Sequence, residues 1–475
     1  MGDDVGLGTG YSSEEASQTG ASRVRRSRRH SPKLGLDLNG FLPKREDTKR
    51  SRSSSTSING NNGSETRPRL AGASRWEVIM GIDMPLLLAV STLIVFGLLM
   101  VNSASWAVSI YQYNSANAYF WRQALWTALG VAGAVVLAFF NYRRFQKLAL
   151  LLMAATVISL LGVLLFGVEL FNATRTLAGG SIQPSELAKF TIIIYLAVWL
   201  FARRDQLTDL SLGLIPMGVI LGVVGGLIAA QPDLSAVITV FILGGLLFFL
   251  AGGELRQISI VILLGAVVGF FIVQSNIFPS GKIRIAEFLA GWRDPTAASD
   301  HVRHALEAFV RGGWFGVGIG KGDWKLTLLP VPHTDSVFAV VGEETGFVGV
   351  IFLVALFAVV LWRGMSISRR APDQLGSFLA AGLTIWITLE AFLNMAVLFG
   401  LLPFTGNALP LISAGGSSRV MTLAAVGILM NISRMSEETK GVKERSLSAV
   451  VDLRGRNRGR SVSSPRRPTR SISQD

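Results

Sequence analysis

Asp335 stands in LPVPHTDSVFAVVGEE, where a proline-stiffened polar segment passes into a long apolar run. At the first turn of a helix a carboxylate is stabilised by the helix dipole, so capping is one reading of it. The other reading is chemical. A carboxylate at a lipid–water boundary, beside His333 and Thr334 and under a large basic segment, is placed to take a proton from a lipid-linked substrate.

Ionisable groups inside apolar runs are the next candidates, because lipid tolerates them only where they have a purpose. Glu186 and Lys189 lie at i and i+3 in QPSELAKF and share a helix face. They form either an ion pair that holds a helix bundle together or a substrate contact. Asp233 in QPDLS reads as a helix cap beside Pro232. Glu390 and Asn394, at i and i+4, read as interior groups that hydrogen-bond between helices, and Glu343 and Glu344 as packing or folding residues. GLLPFTGNALPLISAGGSSR interrupts two apolar runs, and non-helical backbone at membrane depth survives only where it is buried or lines a cavity. Ser413, Ser417 and Ser418 can satisfy that backbone or bind a head group, and Arg419 enters the following run paired or facing a cavity. GGWFGVGIGKG tempts a phosphate-loop reading but fails its spacing: Phe315 stands where Gly is required and Gly322 where Ser or Thr is.

The elements that must position these groups are membrane helices. Half of the 475 residues are hydrophobic and 16% are charged, against roughly a quarter charged in a soluble domain, so lipid is the expected solvent. Apolar runs recur near 83–103, 121–140, 146–167, 184–202, 210–230, 233–251, 256–276, 336–362, 375–399 and 411–433, most of them about 20 residues long, the length that crosses the hydrocarbon. The expected fold is an all-α integral membrane protein of about ten transmembrane helices. Its membrane domain covers 77–434, with a large extracytoplasmic loop, 277–335, between the seventh and eighth helices. The net charge is +14, of which +6 falls in residues 1–76 and +5 in 435–475. Both tails are Ser- and Arg-rich and read as disordered basic segments that meet anionic lipid, not nucleic acid. Arg143, Arg144, Lys147, Arg203, Arg204, Arg256, Arg363, Arg369, Arg370 and Arg434 fall on one side if the first tail is inside. The excess of basic residues on cytoplasmic loops then makes both termini cytoplasmic in a bacterial inner membrane. The absence of cysteine excludes disulfides and thiolate metal sites, and four histidines are too few for a rich metal centre.

The ordered blocks resemble the SEDS family of cell-wall proteins, the FtsW/RodA/SpoVE group, over about residues 80–434. They are NSAS at 102–105, RQALW at 122–126, NYRRF at 141–145, QPSELAK at 183–189, QPDL at 231–234, WRDP at 292–295, GGWFGVGIGKG at 312–322, PHTDSVFAVVGEETGFVG at 332–349, LLPFTGNALPLISAGGSS at 401–418 and NISR at 431–434. The resemblance implies a peptidoglycan glycosyltransferase that polymerises lipid II into glycan strands on the outer membrane face. A class B penicillin-binding protein and other divisome or elongasome proteins are the implied partners. The donor would be a disaccharide-pentapeptide on undecaprenyl pyrophosphate, and the anomeric carbon would invert as the lipid pyrophosphate leaves. Asp335 matches the family's essential carboxylate and becomes the candidate general base. Arg122, Lys189, Arg311, Lys321 and Arg419 are the candidate cations for the departing pyrophosphate. Glu186, His333, Thr334, Ser417 and Ser418 complete the substrate-binding set. A divalent cation, Mg2+ or Mn2+, could assist, but no ligand cluster for it is visible, and no other cofactor is expected.

Departures from the family pattern thin the acidic surroundings of Asp335 and leave the base intact. Val331 and Thr327 stand where acidic residues are usual, and His301 and His304 where two glutamines are. Arg175-Thr176 replaces an Arg-Trp pair, and Glu390 replaces a Gln. The long first tail leans towards an FtsW-like division role over elongation. Two other functions stay open. A flippase of lipid-linked precursor would need Glu186, Lys189 and Asp233 but not Asp335, and a non-catalytic divisome scaffold would tolerate Asp335→Ala but not changes at the helix faces that bind partners.

Overall fold

The computed structural model describes residues 81–166, 168–170, 173–176, 183–207, 209, 213–254, 256–261, 263 and 279–456. The tail 1–76, most of the expected span 256–276 and the residues after 456 lie outside the described residues.

The described chain is predominantly helical. In order run α1 (Met84–Tyr113), α2 (Ala118–Phe139), α3 (Phe145–Phe166), α4 (Pro184–Arg203), α5 (Ile215–Ala229), α6 (Leu234–Leu250), α7 (Pro279–Arg293), α8 (Asp300–Gly312), α9 (Val337–Arg370), α10 (Gln374–Leu398) and α11 (Gly416–Arg456). A short antiparallel ribbon, β1 (Val168–Leu170) with β2 (Ala173–Thr176), lies between α3 and α4 in the chain. Among the described residues six helices are long and apolar enough to cross a membrane: α1, α2, α3 with the turn before it, α4, α9 and α10. Helices α5 and α6 have 15 and 17 residues, about 22 and 25 Å at 1.5 Å per residue, short of a hydrocarbon core about 30 Å thick.

Local sequence sets the helix ends. Pro85 lies in the first turn of α1, Asp83 Oδ1 accepts from Leu86 N at 3.1 Å, and Asn114 closes the helix in the left-handed region at φ 50. Asp233 Oδ1 likewise accepts from Ala236 N at 3.3 Å and caps α6. The last helix does not end at the expected boundary of 434 but continues to Arg456. Residues 435–456 contain no proline and many good helix formers. The pairs Lys440–Glu437 at 2.8 Å and Arg434–Glu438 at 3.8 Å lie at helical spacing.

Helices α4 and α10 occupy the centre. In their most apolar stretch 72% of residues are buried, against 17% for α2 and 28% for α3, which turn a broad face outward. Only a helix surrounded by protein can carry charge at this depth, and α4 and α10 are the two that hold Glu186, Lys189 and Glu390. Helices α2 and α11 approach closely through small residues, Gly130 facing Val420 and Leu423, and Gly427 facing Ala134.

The two ends of the bundle differ. At one end Asp83 holds Arg363 at 2.6 and 3.0 Å and Arg370 at 3.4 Å, Arg143 binds Asp373 at 2.9 Å, and Arg204 binds Gln374 at 3.0 Å. Arg434 covers the Phe139 ring at 4.9 Å at the same end. Five of the residues the charge pattern assigned to one side, Arg143, Arg204, Arg363, Arg370 and Arg434, are thus gathered there. At the other end stand the start of α9, the end of α10 and the start of α11, with Asp335 among them.

Helix α9 is broken at Gly346, at φ 67 and ψ −167, and the glycine-rich segment crosses the break. Phe347 N donates to Gly313 O at 2.9 Å and Val348 N to Trp314 O at 3.1 Å; Val317 N and Gly318 N donate to the carbonyls of Glu343 and Glu344, both at 3.0 Å. A Cβ on Gly346 would strike the backbone of Trp314, Phe315 and Gly316. Gly346→Ala therefore combines left-handed strain with a backbone clash and is expected to cost about 2–3 kcal/mol. A melting temperature in detergent unchanged by the substitution would contradict this packing.

Candidate active site

Ser336, not Asp335, holds the N-cap position of α9, so Asp335 is one residue outside the helix. Three residues, from α10 and from the segment before α11, fix it there. Asn394 of α10 donates from Nδ2 to Asp335 O at 3.0 Å and to Asn407 O at 2.6 Å. Ser413 Oγ donates to Thr334 O at 2.7 Å and accepts from Leu409 N at 2.8 Å. Ala414 N donates to His333 O at 2.8 Å. The non-helical segment 401–415 thus satisfies its backbone against residues 333–335, as irregular backbone at membrane depth must. Gly406, at φ 69, faces the carboxylate: a Cβ there would lie 3.3 Å from Asp335 Oδ2. Val331 at φ 45 and Leu411 at φ 64 flank the site in the left-handed region, where non-glycine residues are strained.

Two recesses adjoin this turn. One, of about 210 Å³, is lined by Arg284, Phe288, Trp292, Val302, Leu306 and Phe404 among others. The second, of about 440 Å³ and open, is lined by Tyr111, Gln112, Thr327, Leu329 and Pro332 among others. Phe404 of the first is two residues from Gly406 in the chain, and Pro332 of the second is three from Asp335.

His333 is buried and packs against Tyr119, ring centroids 5.0 Å apart. Burial pushes its pKa down to about 4. His301 of α8 is held down to about 4 as well, first by burial and then by the Arg284 charge, against weaker help from Asp300. Both imidazoles are neutral in the folded protein. The unfolded chain binds their protons near the ordinary value of 6.5, so the unfolded state binds more protons between about pH 6.5 and 4, and stability is lost as the pH is lowered through that window. Thermal melting is expected to show this slope, and replacing both histidines by glutamine is expected to flatten it; an unchanged slope would contradict the assignment.

The cations named from sequence are placed differently. Lys189 is buried and donates to Glu186 Oε1 at 2.6 Å and to Glu390. Glu390 is one turn from Asn394 on α10, so this triad lies one turn deeper than the support of Asp335. Arg419, 1% exposed, binds Thr127 at 3.1 Å and Ser413 O at 3.3 Å. Gln123, with its amide oxygen turned towards the guanidinium, accepts from Nη2 at 2.9 Å. Arg419 thus anchors the 401–415 segment to α2. Arg311 pairs with Asp323 and lies 3.8 Å from Glu343. Arg122 reaches Tyr113 at 3.3 Å, one turn from the Tyr119 that packs on His333. Lys321 is exposed on the glycine-rich segment, its stem alongside Gly318. Ser417 Oγ accepts from Gln183 N at 3.1 Å, tying α11 to the start of α4, and Ser418 is half-buried in the first turn of α11.

The glycine-rich segment does hold anions, but they belong to this chain. Glu343 Oε1 accepts from Asp323 N at 3.0 Å and Trp324 N at 3.3 Å, and Glu344 Oε2 from Gly320 N at 3.0 Å. Glu344 Oε1 accepts from Lys325 Nζ at 2.5 Å and Ser103 Oγ at 2.6 Å. Sequence reasoning missed Arg284, whose guanidinium covers the Phe404 ring at 5.5 Å, and gave no role to Phe404 or His301. The available signal was the cluster of aromatic and basic residues in the 277–335 segment. Among the described residues no three side chains of His, Asp or Glu converge to hold a metal. The described residues do not make a metal-holding set.

The model of the cell cycle protein family FtsW/RodA/SpoVE matches residues 84–438. A probable peptidoglycan glycosyltransferase FtsW of Trichlorobacter lovleyi is 37% identical over 74% of this chain and 93% of its own. Among solved structures, a chain of a peptidoglycan synthase complex that coordinates polymerisation and crosslinking superposes with a TM-score of 0.61 at 27% identity, over 75% of this chain and 98% of that one. The rod shape determining protein RodA of Thermus thermophilus superposes with a TM-score of 0.55 at 25% identity, over 74% and 97%. With the blocks that surround Asp335 falling inside the matched span, the chain belongs to the FtsW/RodA/SpoVE family of cell cycle proteins.

Proposed function

We propose that this protein is a peptidoglycan glycosyltransferase that polymerises lipid II on the outer face of the cytoplasmic membrane, with Asp335 as general base. The observation that carries the reading is Asp335, its backbone held one residue outside a helix end and its carboxylate facing Gly406, in a chain whose relatives are named peptidoglycan glycosyltransferases. In the step, Asp335 takes the proton of the acceptor hydroxyl and the hydroxyl oxygen bonds to the anomeric carbon. The bond from that carbon to the lipid pyrophosphate breaks, and its electron pair leaves with the phosphate. One base and one direct displacement invert the anomeric centre. Thr334 and His333 border the base, whereas Glu186, Lys189 and Arg419 serve the frame.

The full topology of about ten spans, the 277–335 segment outside and both termini inside, belongs to the same proposal. It is supported by the basic residues gathered at the end of the bundle opposite Asp335. A class B penicillin-binding protein is the proposed partner, because the synthase complex this chain resembles couples polymerisation to crosslinking. Division is the proposed setting, given the FtsW relatives.

A flippase reading draws on the buried Glu186–Lys189–Glu390 triad, a charged cluster within the bundle. Proteoliposomes holding the protein with its crosslinking-dead partner and labelled lipid II separate the two. Glycan formation that survives neutralisation of the triad and vanishes without Asp335 supports the polymerase. Movement of labelled lipid across the bilayer, with no glycan, would replace it by the flippase.

A further inference from the structure

The His301 imidazole receives contacts from two other segments and, through one of them, reaches a third. Its Nδ1 lies 3.1 Å from Ser336 Oγ. Ser336 is fully buried, and its hydroxyl donates to Pro330 O at 2.9 Å. A hydroxyl has one proton to give. With that proton on Pro330 O, the oxygen accepts from His301, so the imidazole carries its proton on Nδ1. The flat face of the same ring stacks on Phe404, centroids 4.1 Å apart and planes 12° from parallel. Arg284 lies over Phe404 in turn, its guanidinium carbon 5.5 Å from the centroid. One imidazole on α8 therefore joins the turn at 330–336, the 401–415 segment and, through the Phe404 ring, the guanidinium of α7.

Asp335 lies between the two arms of this contact. Its peptide neighbour Ser336 takes the hydrogen bond, and its carboxylate faces Gly406, two residues from the stacked Phe404. A ring that only filled space would not need a donor aimed at a buried hydroxyl, and a donor alone would not need the stack. A neutral ring supplies both without adding a second positive charge beside Arg284.

We propose that His301 is a positioning residue for the transfer step, a role that rests on the glycosyltransferase reading. By holding Ser336 and Phe404 at once, it sets the Asp335 carboxylate against the Arg284 guanidinium, a base against a group able to meet developing negative charge. Neither His301 nor Ser336 touches the reacting atoms in this role.

Three substitutions divide the two arms. His301→Asn keeps a donor at the Nδ1 position and loses the stack. His301→Phe keeps a ring over Phe404 and loses the donor. His301→Ala loses both. Each is purified with the crosslinking-dead partner, and kcat and KM for labelled lipid II are measured beside wild type and Asp335→Asn, with melting temperature as the check on folding. Each half variant is expected to lose about tenfold in kcat and His301→Ala about a hundredfold, with KM changed less than about threefold. Wild-type kcat in His301→Ala overturns the proposal, as does a loss of rate that only matches a loss of folded protein. Glycan from wild type and none from Asp335→Asn upholds the glycosyltransferase reading whatever the His301 variants do. No glycan from folded wild type overturns both.

Discussion

Asp335→Asn is expected to leave a folded protein that polymerises lipid II at least about a hundredfold more slowly than wild type, the least a lost general base costs. The amide has the shape of the carboxylate but cannot take a proton. Backbone groups hold this turn whatever the side chain: Asn394 binds the carbonyl of residue 335, Ser413 that of Thr334, and Ala414 that of His333. Asp335→Glu keeps the proton acceptor but displaces it by one methylene, and a misplacement of about 1 Å can cost about a hundredfold. Glycan yields on a gel, normalised to folded protein, check both variants. Polymerisation at the wild-type rate by Asp335→Asn would remove the residue from the chemistry.

Lys189→Met is expected to cost about 3–5 kcal/mol of stability, because removing one partner of a buried ion pair leaves charge uncompensated. Here two carboxylates, Glu186 and Glu390, would be left facing each other at the centre of the bundle, both under 10% exposed. The cost comes from the orphaned charges and not from the loss of a favourable pair. Glu186→Gln and Glu390→Gln added to Lys189→Met should therefore recover most of it. Thermal melting in detergent reads both steps. A triple variant as unstable as the single one would show that the triad contributes through its charge and not through the harm of breaking it. Polymerisation retained by the triple variant would confine the triad to the frame.

The distance between partners along the chain decided what the sequence could reveal. Glu186 and Lys189 were legible as a pair because helical spacing puts them on one face, but Glu390, 201 residues beyond Lys189, was not. Its spacing to Asn394 was visible, though not that one end of this stripe meets Lys189 and the other the backbone of Asp335. Asp233 was legible as a cap because capping is local. The apolar runs located the helices because hydrophobicity over about 20 residues is a strong signal. The break at Gly346 was not legible, since GEETGFVG reads as continuous helix until the glycine-rich segment is laid across it. The same segment looked like an anion cradle, and the anions it holds, Glu343 and Glu344, follow about twenty residues later. Arg419 suggested a substrate cation because its partners on α2 lie far away in sequence. The His301–Phe404–Arg284 stack draws on three segments with no shared periodicity, and nothing in any one of them announces it.

The bond the protein makes tests the central claim most directly. Wild-type protein with its crosslinking-dead partner is given lipid II labelled in the sugar, and the product is digested with a β(1→4)-specific muramidase. A ladder of glycan that collapses completely to disaccharide units is the expected result, because one displacement from an α-linked donor must leave a β bond. No ladder from folded protein, or a ladder that the muramidase leaves intact, would contradict the account.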